Sequence, residues 1–412
     1  MKNSWTGGQY SIFRAVFATY LLVHFLQLLP WGTELFSNQG VLPHGTASPL
    51  LHLFPNVLAL SDSPGVVTAL LAAGAVLSVF FGIGLYDRAA ALALWYIEAC
   101  LFGRDPLIAN PSIPFVGWLL LVHVFLPPAP YGSWAARRRV DPGGGWRMPP
   151  ALFAAAWIVL ALAYSYSGYT KLVSPSWRDG TALARVLDNP LARPGRLRET
   201  LLALPSWLLH LGTWSALALE LSFAPLSLVR RLRPWLWGIM LLMHLSLIVL
   251  LDFADLSLGM VMIHLFTWNP GWVRPLPAAT ERLFYDGHCG LCQRSVRLIL
   301  AEDATGAAFR FAPLQGETFQ ALIPEKERDA LPLSLVVQTE SGTLLTRSSA
   351  VLHIMRRLGG LWRVLAGVLA LLPVRLRDAL YDGVARIRHH VFARPAELCP
   401  VMPPQLRTRF DP

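Results

Sequence analysis

Long apolar stretches separated by short polar or proline-rich segments fill the chain up to about residue 275, after which the pattern shortens to brief apolar runs and amphipathic stretches. A helix that crosses a bilayer needs about 20 mostly apolar residues. On that basis residues 11–29, 65–84, 89–102, 113–126, 151–167, 207–228, 235–251 and 256–268 are expected to span, the third, fourth and eighth being short for the task. Beyond Pro275 and Pro277, residues 283–285, 308–312, 333–338 and 343–346 read as strands, the last two joined as a hairpin across Glu340, Ser341 and Gly342. Residues 292–302 and 349–358 read as helices. The expected fold is a polytopic α-helical membrane bundle of about eight spans (residues 1–275), then a small α/β thioredoxin-like domain (residues 276–412) of βαβ then ββα order.

Composition agrees with a membrane protein, since 54% of the 412 residues are hydrophobic and 15% charged. A net charge of +10 would suit nucleic acid, but the arginines sit in short runs beside apolar segments, where they set topology and meet anionic lipid. Nucleic acid is therefore not expected as a partner. Arg137, Arg138, Arg139 and Arg147 follow the fourth stretch and Arg230, Arg231 and Arg233 the sixth, whereas residues 30–64 hold no Lys or Arg. The positive-inside rule then puts both termini in the cytoplasm of a multi-pass inner-membrane protein. The first apolar run lacks a small-residue cleavage site and reads as a retained signal-anchor. Residues 170–205 disobey the rule, carrying Lys171, Arg178, Arg185, Arg193, Arg196 and Arg198 where an outer loop is expected. A packed or re-entrant segment would explain them, as would a helix count wrong by one.

Candidate chemistry concentrates at Asp286-Gly287-His288-Cys289-Gly290-Leu291-Cys292, two thiols at CxxC spacing where a strand gives way to a helix. A thiolate at a helix N-terminus is stabilised by unpaired N–H groups and the helix dipole. Cys289 is thus expected to attack and Cys292 to resolve the mixed disulfide. Asp286 either relays the proton of the second thiol or shapes the turn. His288, when protonated, lowers the neighbouring thiol's pKa, or else points to water. Pro332 sits where thioredoxin-like folds place a cis-proline facing the dithiol, or merely stops the helical stretch 324–331. Half a zinc site also has CxxC spacing, but His288, His353, His389 and His390 offer no second ligand pair. No metal is expected. Cys100 and Cys399 have no close partner in sequence.

These residues carry two resemblances. The Asp-Gly-x-Cys-x-x-Cys start, Arg347-Ser348-Ser349-Ala350 and Tyr381-Asp382-Gly383-Val384-Ala385-Arg386 together resemble the DCC family of thiol-disulfide oxidoreductases, over about residues 282–391. Tyr166-Ser167-Gly168-Tyr169-Thr170-Lys171-Leu172 and Ser176-Trp177-Arg178-Asp179-Gly180-Thr181-Ala182-Leu183 resemble the HTTM domain, the membrane module related to vitamin K-dependent gamma-carboxylase, over about residues 11–272. The second likeness implies that Lys171 occupies the position of a base acting toward a reduced quinone, and that a quinone-like lipid is a candidate cofactor. Desolvation at a membrane boundary favours the neutral amine such a base requires; the alternative is a lysine that snorkels to headgroups. The carboxylase's large lumenal domain has no counterpart here, so glutamate carboxylation is not expected.

His24, His123, His210, His244, His264, Glu98 and Glu220 fall within expected spans, where ionisable groups are costly and mark sites or interhelical hydrogen bonds. Glu98, His210 and His24, with Lys171, are the expected membrane-site group. The expected function is a membrane-anchored thiol-disulfide oxidoreductase. Its partners would be membrane lipid and a protein or small molecule bearing a thiol or disulfide. A lipid-directed enzyme using Lys171, with the dithiol domain regulatory, is one rival, and a non-catalytic scaffold or transporter the other.

Overall fold

The computed structural model describes residues 3–108, 110–332, 334–392, 398–400 and 402–412, with backbone only at Thr46, Ile108, Ala254 and 389–391. The chain divides into two compact units. One takes in Phe13–Leu126 and Pro149–Trp268, the other Lys2–Ile12, Pro127–Met148 and Asn269–Pro412.

The first unit is helical. Its principal helices are α1 (Gly7–Leu28, whose first turns belong to the other unit), α2 (Pro64–Ile83), α3 (Asp87–Arg104), α4 (Ile113–Phe125), α5 (Pro150–Lys171), α6 (Ser206–Ser227), α7 (Arg233–Leu250) and α8 (Ala254–Thr267). Each stands where the apolar pattern predicts a helix, and the ends differ for local reasons. α2 and α5 begin on Pro64 and Pro150, because the missing N–H of a first-turn proline has no helical partner to lose. α3 runs past its apolar stretch at both ends, with Asp87 in the first turn and Arg104 in the last, each charge complementing the helix dipole.

Length and composition qualify fewer helices than eight as spans. Among the described residues four segments are long and apolar enough to cross a membrane: Gly7–Phe36, Pro64–Ile83, Pro150–Lys171 and Arg233–Leu250. A fifth arises if Arg196–Leu202 and Ser206–Ser227, which meet at 100°, form one broken span. α4 and α8 are shorter, and α3 carries Asp87, Arg88, Glu98 and Arg104.

Close packing of α5 on α6 follows from one proline and one glycine. Pro225 has no N–H to offer the Leu221 carbonyl a turn earlier. The Ser165 hydroxyl donates to that oxygen at 3.1 Å and accepts from the Ala224 N–H at 2.9 Å. Such contact needs Gly168, where a Cβ would lie 2.7 Å from the Leu221 nitrogen. The arginine-bearing segment 170–205 is packed rather than loose. It holds helices Pro175–Arg178, Ala182–Leu187 and Arg196–Leu202, with Leu183 N–H donating to Thr213 Oγ1 at 3.0 Å and Arg193 N–H to the Leu250 carbonyl at 2.8 Å.

The second unit is built on a four-stranded sheet of order β2-β1-β3-β4, with β1 Glu281–Tyr285, β2 Phe309–Pro313, β3 Val336–Gln338 and β4 Leu344–Thr346. β1 pairs parallel with β2 and antiparallel with β3, and β3 antiparallel with β4. Helix α9 (Gly290–Glu302) makes the β1–β2 crossover, and α10 (Arg347–Leu358), α11 (Gly360–Leu369) and α12 (Val374–Val391) follow the hairpin. The third strand starts at Val336, and Leu333 of its expected span lies outside the described residues. Leu283, Val296, Ile299, Phe309, Phe311 and Val337 form the larger core on one face, and Phe284, Phe319 and Val336 the smaller on the other.

Two tertiary features have no signature in the local pattern. Buried Glu302 ends α9 by accepting from the Thr6 hydroxyl, the Gly8 N–H at 2.7 Å and Trp362 Nε1 at 2.8 Å, which gathers three distant segments on one carboxylate. Burial holds its pKa above the usual range, against those hydrogen bonds. The last residues cover the β2 edge: Phe311 N–H donates to the Arg409 carbonyl and Asp411 N–H to the Phe311 carbonyl, both at 2.8 Å.

Candidate functional site

The end of β1 and the start of α9 position the dithiol. Asp286 closes the intervening turn: its Oδ1 accepts from the His288 N–H at 3.0 Å, and its carbonyl accepts from the Cys289 N–H at 3.2 Å. Gly287 is required where it stands, because a Cβ would lie 2.9 Å from the Leu398 carbonyl oxygen. Cys289 is the N-cap of α9, in extended backbone geometry, and its sulfur accepts from the Cys292 N–H at 3.3 Å. Both cysteines are free thiols.

That placement separates the two sulfurs chemically. A hydrogen bond from the Cys292 thiol, helped by the Cys292 N–H and the Arg388 charge, outweighs burial and the nearby Asp286 and brings the Cys289 pKa down to about 6. Cys292 moves the other way, well above the thiol range, because it donates to Cys289, is desolvated, and faces the charge its neighbour would carry. The asymmetry is that of a nucleophile and a resolving thiol.

Access is narrow. Cys289 is 0% exposed and Cys292 4%. A cavity of about 330 Å³ lies beside Cys292, lined by Ser295, Leu335, Val351, Tyr381 and Arg388 among others. α12 supplies its far wall. The Tyr381 hydroxyl accepts from the Leu335 N–H at 3.0 Å, and Arg388 reaches Asp286 at 3.6 Å. Arg388, beside the dithiol, is a residue that the sequence analysis does not single out. Its spacing from Tyr381, two helical turns along the same face, is the signal that finds it.

The other expected residues divide. His288 is exposed at the turn, where its backbone N–H donates to Asp286. Pro332 is not a cis-proline, since no peptide bond among the described residues is cis. Leu335, further along, joins the core that holds both cysteines and lines the cavity beside Cys292.

In the helical unit the expected group separates into distinct sites. His24 lies 3.5 Å from Glu98 and 3.2 Å from Asp255, whose carboxylate also accepts from Tyr20 at 3.0 Å and Asn110 at 2.9 Å. His24, Glu98 and Asp255 line a cavity of about 100 Å³. Asp255 was missed because it sits at the start of a short apolar stretch and looks like a helix-start residue. Lys171 is elsewhere, bridging both oxygens of buried Glu220 at 2.5 Å and lying 4.6 Å over the Trp177 ring. His210 joins neither group and packs its ring 5.8 Å from Trp214. The Tyr164 hydroxyl lies 2.8 Å from His244 Nε2 and 2.6 Å from His264 Nε2, a hydrogen-bonded link between helices. Among the described residues no three His, Cys, Asp or Glu side chains gather as a metal site. His353 is 2.8 Å from Glu281, and the His389 and His390 side chains lie outside the described ones.

A free CxxC pair capping the first helix of a small mixed sheet, with one thiol acidified by the other, defines a dithiol redox protein. Residues 283–394 match the family described as DCC1-like thiol-disulfide oxidoreductase. Over 130 residues the chain is 32% identical to the uncharacterized protein YuxK of Bacillus subtilis (strain 168), covering 32% of this chain and 93% of that one. Over 128 residues it is 33% identical to the DCC family protein At1g52590, chloroplastic, of Arabidopsis thaliana, covering 30% of this chain and 74% of that one. No solved structure matches. The chain belongs to the DCC family.

Proposed function

We propose that this protein is a membrane-anchored thiol-disulfide oxidoreductase whose dithiol, Cys289 and Cys292, belongs to a thioredoxin-like domain on the cytoplasmic side. The observation that carries the reading is the Cys289 sulfur at the helix N-cap, accepting from the Cys292 N–H at 3.3 Å. The Cys289 thiolate attacks one sulfur of a substrate disulfide, forming a mixed disulfide and releasing the other sulfur as a thiolate. Cys292 then loses its proton to that leaving thiolate and attacks Cys289, so the substrate leaves as one thiol and one thiolate, the latter taking a proton from water, and the protein holds the disulfide. Arg388 offsets the negative charge on Cys289, and Asp286 holds Arg388 in place. In a reducing cytoplasm the pair rests as the dithiol and acts as a reductant.

The apolar helices are the anchor, and the eight principal helices form an HTTM-like bundle that meets membrane lipid. A quinone-like lipid is the proposed source or sink of electrons. The His24–Glu98–Asp255 cluster and the Lys171–Glu220 pair are where such a lipid would find polar partners.

The test is trapping in the full chain. Cys292→Ser, given glutathione disulfide, is expected to accumulate a mixed disulfide that mass spectrometry maps to Cys289, while Cys289→Ser forms none. An adduct on position 292 of the Cys289→Ser variant, formed as fast as the first, sinks the assignment of roles. No adduct in either variant sinks the oxidoreductase reading.

A further inference from the structure

Surface helices ordinarily turn their apolar stripe to the core. α12 does so only in part. Its polar residues face the sheet unit: Asp378 accepts from the Ser348 N–H at 3.3 Å and from the Ser348 hydroxyl, Asp382 pairs with Arg347 at 3.4 Å, and Arg388 is buried against Asp286. Its apolar residues Leu376 and Ile387 are exposed by 47% and 55%, while Leu380 and Val384 line the cavity beside Cys292. The turn before it and the end of α11 carry further exposed apolar residues, Leu371 at 83% and Val368 at 58%, alongside Val374. Both acidic side chains of α12 are engaged inward, so the charges left outside among these apolar groups are Arg375 and Arg386.

We propose that the α11–α12 hairpin docks on the surface of an anionic lipid bilayer, its apolar side chains in the acyl boundary and Arg375 and Arg386 at the phosphates. This rests on the reading that the helical unit spans a membrane. Arginines interleaved with exposed apolar residues are the chemistry of an interfacial helix, in which apolar burial and attraction to anionic headgroups act together. A soluble partner of opposite charge would satisfy the arginines but leave Leu371 and Val368 at the tip without an apolar bed.

The full chain is reconstituted in nanodiscs of phosphatidylcholine with phosphatidylglycerol carrying a diazirine in its acyl chain, photolysed, and mapped by mass spectrometry. Adducts are expected on the peptide spanning Val368, Leu371 and Leu376 as well as on α2 and α7. The hairpin adducts should fall several-fold in Leu371→Glu/Leu376→Glu, both positions being exposed and free of packing duties, with Cys289 alkylation unchanged as evidence of an intact fold. Adducts on α2 and α7 with none on the hairpin overturn the docking proposal alone. Adducts on neither overturn the membrane reading and the proposal with it. A hairpin labelled equally in wild type and the double glutamate variant also overturns it.

Discussion

Replacing Cys292 by alanine removes the thiol that donates to the Cys289 sulfur and leaves the backbone N–H in place. With its pKa at about 6 the Cys289 thiol is, by ordinary titration, about 90% thiolate at pH 7. If the lost hydrogen bond let it return the whole way to the ordinary 9.0, that fraction would fall to about 1%. Nucleophilicity compensates in part: with a Brønsted slope of about 0.45, a thiolate three pKa units more basic reacts roughly 20-fold faster. The product of the two effects makes the variant about fourfold slower toward iodoacetamide at pH 7 and on the order of tenfold faster above pH 9.5. The rate profiles must cross. Alanine also leaves room beside the sulfur, which scales all rates alike and does not move the inflection, so the inflection is the quantity to read. The assay is alkylation of the full-length reduced protein from pH 5 to 10, followed by mass spectrometry of the Cys289 peptide. A variant whose inflection stays near the wild-type value would show that the helix terminus and Arg388 set the acidity without the second thiol. A wild-type inflection near the ordinary thiol value would refute the reasoning altogether.

Two further outcomes follow from ion pairs in the two units. Lys171→Met strands the Glu220 carboxylate in a buried site, a loss of about 3–5 kcal/mol for the helical unit, and Lys171→Met/Glu220→Gln should recover most of it in thermal denaturation in detergent; purely additive losses would mean that the pair is not coupled. Asp411 is held below the usual carboxylate range chiefly by its hydrogen bonds from Arg310, with Arg282 assisting. A depressed folded-state pKa contributes stability that is present above the unfolded value of about 3.9 and lost as pH falls through the folded one. Amide-exchange protection of Phe311 should therefore decline on acidification below about pH 4 in the wild type and much less steeply in Asp411→Asn; identical slopes would exclude Asp411 as the group that pins the β2 edge.

Local pattern alone determined a great deal here. The eight principal helices, the four strands and the CxxC at a strand-to-helix turn were legible because apolar periodicity, proline positions and thiol spacing are properties of neighbouring residues, and backbone hydrogen bonding turns them directly into elements. The placement of the dithiol at the start of α9 was legible for the same reason, since an N-cap and the N–H three residues on are neighbours in sequence. Tertiary structure decided everything that depends on residues meeting across the chain. It set Arg388 against Asp286, sent Lys171 to Glu220, parted His210 from His24 and Glu98, and drew Thr6 and Trp362 to Glu302. A charged or polar side chain leaving water must find a partner, and which partner it finds is set by helix packing and chain crossing, neither of which is written in the spacing of its neighbours.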